Sequence, residues 1–125
     1  MNARRKFLSV GAATVAALGA TLVTAPDASA ESQRGCAYPR VCFYKTQADY
    51  DAHRPTAAYK DMTSTFQELG PRARGSLKGV NTRNDDGVII KFANKPGAWC
   101  MEPNTRWHFG SDVVDRIRIV DSPTC

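Results

Sequence analysis

All four cysteines of the chain, Cys36, Cys42, Cys100 and Cys125, lie beyond residue 35. An even count outside the cytoplasm reads as two disulfides, with three possible pairings. Cys36 and Cys42 are close in sequence, so the favoured pairing is Cys36 with Cys42 and Cys100 with Cys125. The second bridge would close a loop of about 26 residues, worth about 3.5 kcal/mol in the loop-entropy account. It would also pin a terminus that otherwise frays. Such staples matter because a short domain builds a thin core.

The oxidising compartment that disulfides need is itself written in the first thirty residues. Arg4, Arg5 and Lys6 are followed by a small, apolar run from Phe7 to Val23, and Ala28-Ser29-Ala30 forms a small-x-small cleavage site. Residues 1–30 therefore read as a signal peptide, and residues 31–125 as one secreted domain, extracellular and free of the membrane after cleavage. The apolar run is short, rich in Gly and Ala and ended by Pro26, so it is a poor membrane span. The start "ARRKFLS" fits a twin-arginine export signal as well as a general one. Of the 17 Lys and Arg and the 12 Asp and Glu, three and one lie in this leader, leaving a net charge of +3. The basic residues are dispersed apart from Arg72, Arg74 and Lys78 around Gly75. No nucleic-acid partner is expected from such a pattern.

Three stretches have strand composition: "VCFYK" (residues 41–45), "VIIKF" (88–92) and "RIRIV" (116–120). In the last, Ile117 and Ile119 alternate with Arg116 and Arg118, as in a strand with one wet face. Turn chemistry fills "RPTAAY", "GPRARG", "NDDG" and "NKPG" between them. The one helical signal is "TSTFQELGP", where Ser64 and Gln67 resemble a capping box and Gly70-Pro71 supply the stop. The pattern predicts an all-β domain. It also repeats: "CFY" (42–44) matches "IKF" (90–92), and "LKGVN" (77–81) matches "VDRIR" (114–118), with "NDDG" between the copies. Two copies of about four short strands each would make two packed sheets around one core.

Catalytic readings find little support. A cysteine nucleophile would need His53 or His108 as a base, but oxidised cysteines offer no thiolate. Two distant histidines and no Cys-x-x-Cys leave no zinc spacing. A ribonuclease-like set of Glu102, Arg106 and His108 has even spacing for one strand face, yet Pro103 interrupts it. His108, between Trp107 and Phe109, reads as a half-buried ring at a strand edge. The turn Asp85-Asp86-Gly87 reads as a hairpin turn, with weak ion binding as its alternative. The expectation is a protein that is not an enzyme and has no catalytic residues, no cofactor and no metal.

The export signal, "CAYPRVCFYKTQADYDAH", "SLKGVNTRNDDGVIIKF" and the terminal "RIRIVDSPTC" together resemble the secreted actinomycete peptidase inhibitors, the group containing the Streptomyces metalloproteinase inhibitor. The likeness spans nearly all of residues 36–125. It implies a βγ-crystallin-like sandwich of two Greek-key motifs, disulfide-stapled and monomeric. Tyr44 and Tyr50 stand for the crystallin aromatic corner, with Ala52 where glycine belongs. The crystallin calcium stretches correspond to residues 74–79 and 111–116, which lack the required carboxylates or hydroxyls, so no tight calcium site is expected.

The resemblance further implies a peptidase inhibitor, of metalloproteinases, whose partner is an extracellular protease. Its inhibitory loop would be Trp99, Cys100, Met101 and Glu102 within "KPGAWCMEPN". Pro96 and Pro103 restrict the backbone at both ends, Gly97 allows a tight turn, and Cys100 anchors the middle. Met101 would be the apolar side chain offered to the protease cleft. The family's second cysteine near this loop is missing here. The alternative reading is a carbohydrate-binding, cell-wall-attaching or antimicrobial module, which would gather Tyr38, Tyr44, Trp99 and Trp107 on one exposed face. Packing is the competing use for Trp99, Trp107 and Met101.

Overall fold

β-Branched and aromatic residues in short alternating runs are built into eight strands among the described residues. The computed structural model describes residues 32–125, so the signal peptide expected over residues 1–30 lies outside the described residues. The strands are β1 (Val41–Tyr44), β2 (Ala57–Tyr59), β3 (Gln67–Glu68), β4 (Lys78–Asn81), β5 (Gly87–Phe92), β6 (Ala98–Met101), β7 (Thr105–His108) and β8 (Val114–Val120), with one short helix α1 (Gln47–Asp51). They form two four-stranded antiparallel sheets, ordered β2-β1-β4-β7 and β3-β8-β5-β6. Each four-strand half thus keeps three strands together and lends its third, β3 or β7, to the other sheet. The matched stretches of the internal repeat become β1 and β5, then β4 and β8.

Alternation fixes what each strand buries. Val88, Ile90 and Phe92 of β5 and Val114, Ile117 and Ile119 of β8 meet Val41 and Phe43 of β1 between the sheets. Arg116 and Arg118 take the opposite face of β8, as their spacing predicted. Strand β1 is covered on both faces. Its second face packs Cys42 and Tyr44 into a smaller cluster with Cys36, Tyr50 and Val80. Tyr44 and Tyr50 meet edge to face at 5.2 Å between centroids, and Ala52 is the helix C-cap.

Three local expectations are corrected. The Ser64–Gln67 stretch is not helical: Gln67 and Glu68 form β3, paired with Ile117 and Arg116 of β8. One turn of helix is poorly nucleated by itself, while β8 offers ready backbone partners. The Gln67 amide donates to Asp61 O at 2.9 Å instead of reaching back to Ser64. The helix forms at Gln47–Asp51, where Thr46 Oγ1 caps Asp49 N at 3.1 Å. Part of the "RPTAAY" turn stretch is strand β2, whose Ala57, Ala58 and Tyr59 pair with β1.

"NDDG" is likewise no hairpin turn, because it carries the chain from β4 in one sheet to β5 in the other. The crossing is built around buried polar groups. Arg83 Nε and Nη2 both reach Asp86 Oδ2 at 2.7 Å. Arg83 Nη1 donates to Pro39 O and Lys60 O. Asn81 Nδ2 donates to Asp86 O, Met101 O and Glu102 O, and its Oδ1 accepts from Arg83 N at 3.0 Å.

Both favoured disulfides are present, Cys36–Cys42 and Cys100–Cys125. The second ties the last residue to edge strand β6 over a separation of 25. Gly87 makes room for it, since a Cβ there would lie 2.7 Å from Cys125 Sγ and 3.0 Å from Ser122 O. Replacing Cys100 and Cys125 together by Ala is expected to lower unfolding free energy by about 3 kcal/mol, read from urea denaturation. A loss below about 1 kcal/mol would show that β6 and the terminus hold without the bridge.

The Tyr44 hydroxyl donates to Arg34 O at 2.6 Å from within the smaller cluster. Burial, and then the neighbouring Tyr50, push this phenol from 10.0 up to about 12, against the pull of Arg34 and Arg106. The folded state therefore favours the protonated form. Its contribution to stability is complete below pH 10.0 and lost as pH rises through about 12. Tyr44→Phe is expected to cost about 1 kcal/mol near neutral pH. The variant should also show a shallower fall in urea midpoint above pH 10.0 than the unsubstituted protein; parallel curves would rule out Tyr44 as the titrating group.

Candidate functional site: a braced hairpin beside an aromatic edge

The residues expected to form an inhibitory loop are mostly strand. Trp99, Cys100 and Met101 belong to β6, and only Glu102 stands in the turn that follows. Met101 is fully buried. It pairs with Val88 on the inward face of β5, and its Cε would lie 3.0 Å from a Cβ on Gly79 of the facing sheet. The missing side chain of Gly79 is thus the space that Met101 and Phe109 fill. The expectation that Met101 projects toward a protease is corrected: it is a sheet-to-sheet contact in the core. Cys100, one position earlier, points to the outer face and carries the bridge to Cys125.

Trp99 lies two positions before Met101 and shares its inward face, opposite Ile90. Yet Trp99 is 46% exposed. The difference comes from the edges. Strand β6 borders one sheet and β7 the other, and the sandwich gapes between them. Trp99 closes the gap against Trp107 of β7, edge to face at 5.5 Å, and against Phe92 at 5.8 Å. Trp107 is half-buried against the core. Tyr38 is exposed, but Tyr44 is buried, so the four aromatics do not make one exposed face.

The stiff exposed segment of this region precedes Trp99. Residues 93–97 connect β5 to β6 and lean on the 110–113 turn. Ala93 N donates to Val113 O at 2.8 Å. The Asn94 side chain both donates to Ser111 O at 2.9 Å and accepts from Val113 N at 2.8 Å. Lys95 Nζ meets Asp112 Oδ2 at 2.6 Å and lies 3.7 Å from the Trp99 ring centroid. Gly97 turns the tip with φ +89°, and a side chain there would meet nothing within 4 Å. The tip is therefore braced from one side and open on the other. "KPG" marked the turn in the sequence; the bracing by Asn94 and Asp112 joins distant segments and had no local signal.

Beside the hairpin, Lys91, Lys95 and Arg116 line a recess of ≈ 330 Å³ together with Phe92 and the 96–98 tip. The other nominated chemistry is scattered. His53 faces Arg34 Nη1 at 3.3 Å, and His108 lies exposed on β7 opposite Lys78. Arg106 is on β7 and bonds Gln33, whereas Glu102 stands outside the strand, so the even spacing does not make one row. All four cysteines are bridged. Asp86 of the Asp85-Asp86-Gly87 turn is taken by Arg83. Among the described residues no three His, Cys, Asp or Glu side chains gather as a metal site. No described helix is long and apolar enough to cross a membrane. Compared with protein-family models, curated proteins and solved structures, the chain matches none.

Met101→Asp places a carboxylate in a dry contact between sheets, and the expected loss is about 3 kcal/mol or more of unfolding free energy. Trp99→Asp, at the half-exposed edge, should cost less than half as much. Equal costs in urea denaturation would contradict the inward packing of Met101.

Proposed function

We propose that this protein is a secreted, monomeric peptidase inhibitor of the βγ-crystallin-like kind, which occupies a protease cleft with the braced β5–β6 hairpin. The exchange of third strands between the sheets is the arrangement expected of two interlocked Greek-key motifs, and it supports the family resemblance. Two disulfides suit an extracellular setting. One observation carries the inhibitory reading: the hairpin is held by Asn94 and Lys95 before any partner arrives. A segment already ordered loses little conformational entropy on docking, and this is what an inhibitor that works by shape requires.

The apolar anchor in this reading is Trp99 and not Met101. A half-exposed tryptophan next to a rigid turn has the area and stiffness of an interface hot spot. The family resemblance directs the choice of target to metalloproteinases. Titration of the oxidised protein against thermolysin-like and subtilisin-like proteases is expected to show inhibition of the former at micromolar concentration or below. Trp99→Ala should weaken it by about 30-fold, the effect of losing about 2 kcal/mol at a hot spot. Asn94→Ala should weaken it less, through a looser tip. Absence of inhibition across both classes, or inhibition untouched by Trp99→Ala, would sink the assignment.

The exposed edge at Trp99 favours one other reading, attachment to cell-wall carbohydrate, in which sugar rings stack on the indole. Retention on insoluble peptidoglycan that disappears in Trp99→Ala, with no protease inhibited, would select it.

A further inference from the structure

The outer face of the second sheet brings Lys91, Arg116 and Arg118 together. Strand register aligns Ala98, Lys91, Arg116 and Glu68 in one row across β6, β5, β8 and β3. Arg118 follows in the next row, opposite Ile89. Lys91 and Arg116 are directly opposed, and like charges so placed repel. The row would be more stable with an anion between them.

Among the described residues no carboxylate lines the recess that Lys91 and Arg116 border, although Asp115 and Glu68 lie beside Arg116. Asp112 is engaged by Lys95 at 2.6 Å. Glu68 is directly opposite Arg116 on the side away from Lys91; it attracts Arg116 across the strands without forming an ion pair among the described residues, and it does not reach the Lys91 side. Asp115 is the extra residue of β8 at the bulge, where pairing passes from Lys91–Arg116 to Phe92–Val114. Its Oδ1 forms a long ion pair with Arg116 Nε at 3.7 Å and makes no hydrogen bond, so it offsets Arg116 only in part and leaves Lys91 unpaired by it. The Lys91 ammonium sits over the Phe66 ring at 4.4 Å, which positions the charge without cancelling it. The Arg116 side chain is 42% exposed. Both cations border the ≈ 330 Å³ recess, and Ala98, next to Lys91 in the row, is too small to fill it.

We propose that this recess seats a carboxylate from an acidic segment of the partner protein, gripped between Lys91 and Arg116. The proposal rests on the inhibitor reading, because the opposite wall of the recess is the hairpin tip itself. A protease holding residues 96–98 brings its rim over Lys91 and Arg116, and an acidic rim gains attraction there. Exposed ion pairs of this kind act mainly on encounter, so selectivity among proteases enters through the association rate.

The test uses a fluorescein-labelled octaglutamate peptide and the oxidised full chain. Saturable binding is expected at about 20 mM salt and should weaken at least about tenfold at about 300 mM, where the screening length is short. Lys91→Gln with Arg116→Gln should weaken low-salt binding at least about tenfold, while Lys60→Gln with Arg72→Gln, an equal charge loss elsewhere, should change it less than about twofold. Equal losses in both double variants, or no saturable binding, would overturn the site. Tighter binding of heparin or polyphosphate at matched charge would overturn the acidic-protein partner. The peptide arm needs no protease: binding that depends on Lys91 and Arg116 without any protease inhibited leaves the anion site standing and removes the inhibitor reading alone. Where a protease is inhibited, stopped-flow association should slow at least about tenfold in the Lys91→Gln, Arg116→Gln protein, with Trp99→Ala acting on dissociation instead. Unchanged association would overturn the proposal even if inhibition persists.

Discussion

The buried carboxamide of Asn81 is the point on which the two sheets agree. It ends β4 in one sheet, donates to the crossover at Asp86, and donates to Met101 and Glu102 at the end of β6 in the other sheet. A donor buried without these carbonyls would cost about 1–3 kcal/mol, so the arrangement penalises alternatives more than it rewards itself. A one-residue slip of β6 would carry the Met101 carbonyl away and turn the Met101 side chain out of the core. Arg83 and Asp86 extend the same junction to the segment around Pro39. Such a buried ion pair contributes little net stability but is expensive to break, which suits a register lock.

Everything at the hairpin inherits this register. Because Met101 is held inward, Trp99 is inward too, and its exposure follows only from sitting where both sheets end. Because Trp99 stays at the rim, Lys95 can rest on its ring while pairing with Asp112, and the tip is propped. The outer face is fixed by the same parity: Cys100 outward toward Cys125, then Lys91 and Arg116 side by side. The places of Trp99, of the Lys95 brace and of Lys91 beside Arg116 are therefore consequences of one pairing between β5 and its neighbours.

Local chemistry made much of this legible. Residues 41–45, 88–92 and 116–120 announced strands by composition, and the double appearance of an aromatic-ended strand and a later one foretold two sheets. Cysteine spacing was enough for the pairing. What escaped was decided across the fold. Met101 is core because Gly79, on a strand of the other sheet, has no side chain. Gln67 is strand because β8 lies beside it, although Ser64 and Gln67 have the spacing of a cap. The Thr46-to-Asp49 cap was readable from the same rule and was overshadowed by the longer "TSTFQELGP" signal. Lys91 and Arg116 looked dispersed because their adjacency is a matter of register between strands far apart in sequence. The aromatics misled for a related reason, since nothing local distinguishes Tyr44, covered by α1, from Trp99 at an open rim.

The exchange of third strands has a further meaning for how such a domain can be divided. A half consisting of β1 to β4 keeps three strands in one sheet and holds out β3 with no sheet of its own to join. The second half has the same deficit at β7. Each half is an incomplete enclosure whose missing wall is carried by the other, so cutting the chain at the crossover yields two fragments with exposed apolar faces and not two small domains. The intact sandwich is in that sense a strand-swapped pair whose members are joined by residues 82–86, and the covalent link spares it the search for a second copy.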